Sequence, residues 1–237
     1  MMRLLSDLWE FFFPRYCVIC GKRLLPGEDH LCLGCLCALP RIQFSNLKDN
    51  PLTKLLLGKM PIERASSYLY YSKGGDVREL LYQLKYYGNQ DIGRFLGRCM
   101  AKELLASGFF DGIEAIVPVP LHEKKRKARG YNQSELLAEG ISSVTQIPVL
   151  NDVLRRKQYT ETQTRKGNYE RWSNVMDVFE CKSDDSLACK HVLLVDDVLT
   201  TGATLVACAD ALKGAEGIFC FSFLLPFSQC QPKLNSF

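Results

Sequence analysis

The sequence predicts an α/β fold in which helices flank a mainly parallel β-sheet. Two observations carry this prediction. First, apolar segments of strand length alternate along the chain with segments of helical periodicity. Second, several of the strand segments are apolar on both faces, which is typical of strands buried within a parallel sheet. The chain of 237 residues is long enough to bury a sizeable core in one or two domains.

The composition is that of an ordinary globular protein, with 47% hydrophobic and 24% charged residues and a net charge of +4. So mild a charge does not by itself point to a nucleic-acid partner. No apolar run reaches the roughly 18 residues of a transmembrane helix, and we expect neither a transmembrane segment nor a signal peptide. The odd number of cysteines argues against a disulfide framework, so we expect a cytoplasmic location.

The N-terminal segment MMRLLSDLWEFFFP has apolar positions that suit one face of a short helix ended by Pro14. We expect this helix to pack on the protein or on a partner, and contact with a membrane surface is the alternative. The apolar positions are Leu4, Leu5, Leu8, Trp9 and Phe12.

The cysteines are concentrated near the N-terminus, where five of the eleven fall between Cys17 and Cys37. The sequences CVIC and CLGC are two Cys-x-x-Cys pairs, and two such pairs form a closed tetrahedral thiolate site for zinc. A segment this short cannot fold on its own apolar surface, so metal binding would supply its folding energy. We therefore predict a structural zinc site with four ligands: Cys17, Cys20, Cys32 and Cys35.

Alternatives remain open for this module. The site could have lost its metal or could serve redox chemistry, Cys37 could replace Cys35 as a ligand, and His30 is a weaker substitute. We interpret the six cysteines beyond the module as small apolar core residues: Cys99, Cys181, Cys189, Cys208, Cys220 and Cys230.

The next elements lie between the cysteine module and the middle of the chain. The stretch from about 42 to 63 is polar and contains Pro51 and Pro61, so we interpret it as an irregular linker or hood segment. A strand (ASSYLYYS) and two helices follow at about 76–87 and 91–106, the first with Asp76 as its N-cap. We therefore divide the chain into an N-terminal helix and knuckle (1–41), a linker (42–63) and an α/β domain (64–237).

The second half of the chain supplies the remaining strands and helices. We predict strands for EAIVPVP, IPVLNDVL, HVLLVDD and IFCFSFLL, and helices for 131–145 and 203–214. Between these elements lie a basic loop, LHEKKRKARG, and a polar, charged stretch at 155–170 that shows no periodicity.

Two adjacent acids, Asp196 and Asp197, end the most convincing strand, HVLLVDD. In open α/β sheets a ligand lies beyond the carboxyl ends of the strands. The following VLTTG turns the backbone, and Gly202 lets it approach a ligand closely, just before a helix with free N–H groups at its start. The acids suit vicinal sugar hydroxyls or a hydrated Mg²⁺, and the loop suits a phosphate. The order of these residues therefore fits a ribose 5-phosphate unit.

Other interpretations of this segment are weaker. The strand of a P-loop NTPase that binds Mg²⁺ also ends in an acid, but the G-x-x-x-x-G-K-[ST] run of that fold is absent from this chain. An ordinary strand, turn and helix with a polar rim is the remaining alternative.

The segment VLLVDDVLTTGAT, residues 192–204, resembles the phosphoribosyl-pyrophosphate (PRPP) signature of type I phosphoribosyltransferases. Further motifs, together with the four-cysteine knuckle, resemble the ComF family of competence-associated proteins. These motifs are LKYYGN (84–89), VPVPLH (117–122), RGYNQS (129–134) and the R-x-x-N pair of Arg171 and Asn174. The resemblance extends from about Cys17 to Leu225.

The resemblance implies a type I phosphoribosyltransferase-like sheet and a role for each motif. Asp196 and Asp197 would be the catalytic acids that contact the ribose hydroxyls, one of them through Mg²⁺. The turn after them would hold the 5-phosphate: Thr200, Thr201, Gly202, Ala203 and Thr204. The pyrophosphate would meet a loop after an earlier strand and nearby basic residues: Val119, Pro120, Lys85, Arg126 and Arg129. The stretch 155–170 would be a mobile flap from which Arg155, Arg156, Lys157 and Gln163 reach in, and a merely solvated loop is the alternative.

The function that the resemblance implies is Mg²⁺-dependent transfer of the 5-phosphoribosyl group to an unknown acceptor, with release of pyrophosphate. Ammonia transfer from glutamine is not expected, because the chain begins Met-Met and lacks the N-terminal cysteine nucleophile. The alternative is a non-catalytic sensor of PRPP or nucleotides that assists DNA uptake, with single-stranded DNA or uptake proteins as partners. The basic run KKRKAR could bind pyrophosphate, bind DNA, or be a solvated loop.

Overall fold

The structure is a computed structural model that describes residues 12–71, 75–156, 178–182, 190–212 and 214–226. Within these residues the main sheet has four strands: β1 (Ile62–Tyr71), β2 (Ala115–Pro118), β5 (His191–Val198) and β6 (Gly217–Pro226). They lie in the order β1-β6-β5-β2, and every neighbouring pair is parallel, which confirms the predicted sheet. A short antiparallel pair forms a second sheet: β3 (Leu154–Arg156) and β4 (Phe179–Cys181).

Helices cover both faces of the main sheet. In chain order they are α1 (Leu33–Ala38), α2 (Pro51–Leu56), α3 (Val77–Tyr86), α4 (Gln90–Leu105), α5 (Glu123–Arg129), α6 (Gln133–Thr145) and α7 (Ala203–Ala211). Residues of α3, α4 and α6 share one apolar cluster with Leu193 and Val195 of β5. Residues of α2 and α7 share the other cluster with Val192 and Leu194. The alternation along β5 explains why its sequence is apolar throughout.

The basic segment predicted as a loop at 121–130 is largely helical, as α5. Lysine, arginine and alanine all favour helix, so a high charge alone does not make a segment irregular. The Lys124 amide donates a hydrogen bond to Nδ1 of His122 at the start of α5, at 3.2 Å. Gly130 ends the helix in the left-handed conformation, with φ of 85°.

The segment predicted as an irregular linker at 42–63 contains α2. Pro51 lies in the first turn of this helix, where its missing N–H has no intrahelical partner to lose. The side chain of Asn50 accepts hydrogen bonds from the amides of Leu52 and Thr53, at 2.9 and 3.1 Å. Leu52 and Leu56 are fully buried, so this segment belongs to the core.

Three smaller predictions also need correction. The strand predicted at 147–154 is a single bridge between Val149 and Ile116 before β3 begins, because Pro148 has no N–H for a ladder. Asp76 takes the N-cap position of α3, but its side chain makes no capping hydrogen bond. Helix α7 ends at Ala211 rather than at Gly214.

The N-terminal module adds to the edge of the sheet. The Ile42 amide donates to the Tyr68 carbonyl, and the Tyr70 amide donates to the Pro40 carbonyl, each at 2.9 Å. Two apolar side chains of the module, Leu31 and Leu39, share a cluster with α3 and α4. The predicted N-terminal helix lies outside the described residues except for Phe12, whose side chain is exposed.

Helix α6 packs closely on α4 because two glycines face each other. A Cβ on Gly97 would lie 2.9 Å from Cα of Gly140, and a Cβ on Gly140 would lie 2.8 Å from Cα of Gly97. Neither position accepts a side chain without displacement of a helix. This contact fixes the start of α6, where Asn132 Nδ2 donates to the Val119 carbonyl just beyond β2, at 3.0 Å.

None of the helices in the described ranges combines the length and the apolar character that a membrane crossing requires.

Candidate functional site

The four predicted metal ligands lie together. Their sulfur atoms are all within 4.8 Å of one another: Cys17, Cys20, Cys32 and Cys35. The Sγ atoms of Cys20 and Cys32 are 3.7 Å apart. Four sulfurs placed tetrahedrally about 2.3 Å from a zinc ion are separated by about 3.8 Å, so the cluster fits zinc. In the described part of the chain neither Cys37 nor His30 belongs to this cluster, which consists of the four predicted cysteines.

The backbone of the module favours the thiolate of Cys17, whereas burial and the neighbouring cysteines raise the pKa of Cys35. Cys17 is almost fully buried, and burial raises the pKa of its thiol. Backbone N–H groups of Cys20, Cys32 and Ile19 act in the opposite sense and bring the pKa of Cys17 down to about 6. A thiolate is the form that binds a metal ion, so this local geometry suits a metal ligand.

The two acids of the predicted sugar site lie at the carboxyl end of β5 and are both partly buried. The Asp197 amide donates to Oδ1 of Asp196 at 2.8 Å. Oδ2 of Asp197 lies 2.9 Å from Nζ of Lys85, and these side chains are only 18% and 20% exposed. Lys85 comes from the last turn of α3, so a helix on one face of the sheet supplies the counter-charge.

The environment of Asp196 favours the protonated form of its carboxyl group. Burial, and then the negative charge of Asp197, raise the pKa of Asp196 to about 7. The Asp197 amide, Lys85 and the hydroxyl of Ser134 act in the opposite sense but do not overcome these effects. Close like charges of limited exposure often mark functional sites in proteins.

The turn after β5 passes close to α2 at Gly202. Gly202 has φ of 78°, and a Cβ there would lie 2.7 Å from Cδ2 of Leu56 in α2. Only glycine therefore fits between the turn and the helix above it. The other four predicted phosphate ligands are exposed at the start of α7, where free N–H groups and the helix dipole favour an anion: Thr200, Thr201, Ala203 and Thr204.

The loop after β2 lies next to β5, the strand that carries the two acids. The Val119 amide donates to the Val195 carbonyl at 2.9 Å, and Pro120 follows it. Of the two arginines assigned to pyrophosphate, Arg126 pairs with Glu135 at 3.5 Å. The guanidinium of Arg129 instead lies over the ring of Tyr86, 5.5 Å from its centroid. The two arginines, which lie on the same short helix, therefore have different side-chain partners.

A cleft of about 520 Å³ adjoins this loop. The side chains that line it include Pro118 and Pro120 of the loop and five cationic residues: Arg126, Lys127, Arg155, Arg156 and Lys182. The two flap arginines therefore face the loop after β2, whereas Asp196 and Asp197 do not line this cleft. Lys157 and Gln163 of the predicted flap, and the pair Arg171 and Asn174, lie outside the described residues.

Some residues that lie near the site have no role assigned from the sequence alone. Asn132 and Ser134 belong to the RGYNQS motif, and both are buried. The Ser134 amide donates to Oδ1 of Asn132 at 3.3 Å, so Asn132 caps α6. An asparagine immediately before a helical segment is a signal that could have identified this role. Lys182 of the cleft has no such signal, because it precedes no recognisable motif.

Comparison with known proteins agrees with this geometry. A family model described as phosphoribosyl transferase domain matches residues 132–221. Competence protein F of Haemophilus influenzae is 41% identical over 93 residues, which are 39% of this chain and 41% of that protein. DNA utilization protein YhgH of Escherichia coli K12 is 27% identical over 214 residues, or 84% of this chain and 91% of that protein. Competence protein ComFC of Bacillus subtilis is 25% identical over 191 residues, or 81% and 75%.

Two solved structures show weaker likeness. A glutamine PRPP amidotransferase from B. subtilis is 18% identical, with a TM-score of 0.42 over 60% of this chain and 30% of that chain. Adenine phosphoribosyltransferase from Leishmania tarentolae is 11% identical, with a TM-score of 0.40 over 70% and 93%. Neither similarity is high enough to carry a conclusion.

The chain therefore combines a four-cysteine module with a parallel sheet, and its residues 132–221 are similar to a phosphoribosyl transferase domain. The chain is a homologue of the proteins named Competence protein F, ComFC and YhgH. The resemblance to the ComF family that the motifs predict is thereby confirmed.

The cysteine cluster gives a prediction about metal content. Replacement Cys32→Ser removes one ligand, so bound zinc should fall from about one ion per chain to nearly none. The midpoint of thermal unfolding should fall as well, because metal binding contributes to folding of the module. Elemental analysis and thermal melts measure both quantities. Cys37→Ser is the matched control, since Cys37 is exposed and outside the cluster. Equal zinc loss in both variants would contradict this ligand set.

The raised pKa of Asp196 gives a prediction about pH. An unfolded aspartate titrates near 3.8 and Asp196 in the folded protein near 7, so the folded state holds a proton that the unfolded state lacks between these values. Stability from this residue is therefore lost as pH rises toward 7. Asp196→Asn should gain about 1.4 kcal/mol over wild type at about pH 8 relative to about pH 6, because most of the loss occurs below the folded-state pKa.

Urea unfolding of both proteins without ligand, each at the two pH values, measures this gain. Effects of pH on the metal module cancel between the two proteins, because both carry the same cysteines. Parallel pH profiles for wild type and Asp196→Asn would show that Asp196 is not protonated in the folded state.

Proposed function

We propose that this protein binds PRPP together with Mg²⁺ and transfers its 5-phosphoribosyl group to an acceptor, with release of pyrophosphate. The observation that carries the proposal is the placement of Asp196 and Asp197 at the end of β5, directly before the Gly202 turn and α7. The carboxylates can accept hydrogen bonds from two vicinal hydroxyls, and the N–H groups at the start of the helix can donate to one phosphate. The homology to a phosphoribosyl transferase domain supports the same ligand.

Each part of PRPP would contact a different group of residues. The ribose hydroxyls would donate hydrogen bonds to the carboxylates, and the amides at the start of α7 would donate to the 5-phosphate. The diphosphate on C1 would extend toward Val119 and Pro120, which lie beside β5. Asp196 or Asp197 would help to hold Mg²⁺, which would supply positive charge that stabilises the leaving group.

The reaction breaks the bond between C1 and the diphosphate oxygen. The diphosphate leaves with the electron pair, and positive charge develops on the sugar ring. The carboxylates below the ribose stabilise this charge electrostatically, while cationic side chains near Val119 stabilise the departing anion. A lone pair of the acceptor then forms the new bond to C1, and the acceptor loses a proton to solvent. A cytoplasmic location is part of this proposal, since the clustered cysteines suit a metal site.

Calorimetry with PRPP and Mg²⁺ tests binding. Asp197→Asn should weaken PRPP binding at least about tenfold, because a carboxylate that accepts the ribose hydroxyls is lost. Asp49→Asn is the matched control, since Asp49 is an exposed acid, at 64% exposure, that also pairs with a lysine at 2.9 Å. Absence of heat for wild type with PRPP, or equal binding by both variants, would rule out the proposed sugar site. Pyrophosphate release from PRPP over bases, amines and oligonucleotides then tests transfer.

The second candidate function is a non-catalytic one, in which the sugar site senses PRPP or a nucleotide and the protein binds single-stranded DNA. Relatives carry the names competence protein and DNA utilization protein. The observation that favours this candidate is an exposed face on α3. Arg78 lies over the ring of Tyr82, Tyr82 contacts Tyr86, and Arg129 lies over Tyr86, at 5.0, 5.4 and 5.5 Å. Two adjacent tyrosines with an arginine on either side suit unpaired bases and their phosphates.

Loss of this face should weaken binding of single-stranded DNA. The double variant Tyr82→Ala/Tyr86→Ala should bind a fluorescent oligothymidylate at least about tenfold more weakly, because stacking contributes roughly 1–3 kcal/mol per base. Fluorescence polarisation at low salt measures the affinity. Tyr16→Ala is the matched control, because Tyr16 is similarly exposed, at 57%, but lies in the cysteine module. Unchanged binding by the double variant would exclude this face, and PRPP binding without any turnover would favour the sensor over the enzyme.

A further inference from the structure

One contact at the sugar site is not explained by binding of a ribose phosphate alone. The ammonium of Lys85 lies 2.9 Å from Oδ2 of Asp197. It is therefore paired with a carboxylate oxygen that would accept a hydrogen bond from a ribose hydroxyl. Both side chains are about one-fifth exposed, so the pair is largely removed from water. A sugar that binds to Asp197 must therefore compete with a cation that is already in place.

Displacement of Lys85 from Asp197 has a cost unless the ammonium finds another anion. A charge that remains unpaired in a site of low exposure is unfavourable, and this penalty commonly exceeds the value of the original pair. The flexible four-carbon stem of lysine allows the ammonium to move without movement of the helix. The end of α3 itself is fixed, because the Tyr131 hydroxyl donates to the Leu84 carbonyl at 3.0 Å. Lys85 can therefore change partners while its backbone stays in position.

The chemistry of the ligand decides which partner is available. On a ribose held by its 2- and 3-hydroxyls, the substituent on C1 is the nearest neighbour of the 2-hydroxyl. A diphosphate on C1 therefore places negative charge within the reach of an ammonium displaced from the carboxylate. Ribose 5-phosphate has only a neutral hydroxyl on C1, and a nucleoside 5′-monophosphate has only its base.

We infer that Lys85 exchanges Asp197 for the C1 diphosphate when the site fills, and that this exchange makes the site select ribose phosphates with a diphosphate on C1. The inference rests on the proposed function, since it concerns the same sugar site. It adds that discrimination comes from the counter-ion that the ligand must displace, and not only from added contacts to the diphosphate. It also explains why a product without the diphosphate would leave, because Lys85 returns to Asp197.

The test is calorimetry with two probes, PRPP and ribose 5-phosphate, each with Mg²⁺. Wild type should bind PRPP much more tightly. Lys85→Met removes the competing cation, so affinity for ribose 5-phosphate should rise about tenfold while affinity for PRPP falls or stays equal. The ratio of the two affinities should therefore fall at least about tenfold. Lys85→Arg, which keeps the charge, should retain much of the ratio.

One control variant separates this exchange from a general effect of a lost lysine charge. Lys54→Met removes an ion pair of the same 2.9 Å length, to Asp49, but at an exposed position, and it should leave the ratio unchanged. A merely structural role of Lys85 would weaken both ligands together in Lys85→Met and would overturn the inference. So would an unchanged ratio with PRPP still bound, and the proposed function would then stand. If wild type binds neither probe, both the inference and the proposed function fail.

Discussion

Two carboxylates that follow each other at the end of a buried strand repel one another and lose hydration, so neighbouring groups must compensate for them. In this protein the compensation comes from elements that are far apart in the chain. Lys85 of α3 pairs with Asp197, and a hydrogen bond from the Ser134 hydroxyl of α6 lowers the pKa of Asp196. The Val119 amide, just beyond β2, ties the neighbouring loop to β5. The acid pair therefore depends on the relative positions of α3, α6 and the two strands, and the rest of the fold serves to hold these positions.

The cysteine module belongs to this arrangement rather than standing beside it. The ring of His30 packs on Phe95 of α4 at 5.4 Å between centroids, and Leu31 lies in the same apolar cluster as Leu84. Leu84 directly precedes Lys85, so the packing that seats the module also supports the helix that carries the counter-charge. The matched domain, residues 132–221, contains the acids but neither α3 nor the four clustered cysteines of the N-terminal module. Homology to that domain alone therefore describes only part of the site.

The sequence predicts those features that depend on local pattern. The parallel sheet follows from strands that are apolar on both faces, the cysteine cluster from its spacing, and the acids and Gly202 from one contiguous segment. It does not predict features that depend on partners remote in the chain. The pair of Lys85 with Asp197 joins positions more than a hundred residues apart, and no periodicity encodes it. The misassigned segments have a local cause: Pro51 starts a helix instead of breaking one, and a run of lysine and arginine forms α5.

The strand order has a consequence for how the molecule forms. Of the described strands, β6 comes last in the chain, and it lies between β1 and β5 in the sheet. The described part of β1 pairs with no other strand of the main sheet. During synthesis β1 must therefore wait without its partner until the segment Gly217–Pro226 has left the ribosome. Until then no strand would lie between β1 and β5. Insertion of β6 thus closes the sheet in the final step, and a chain interrupted before this strand would present two open edges to other molecules.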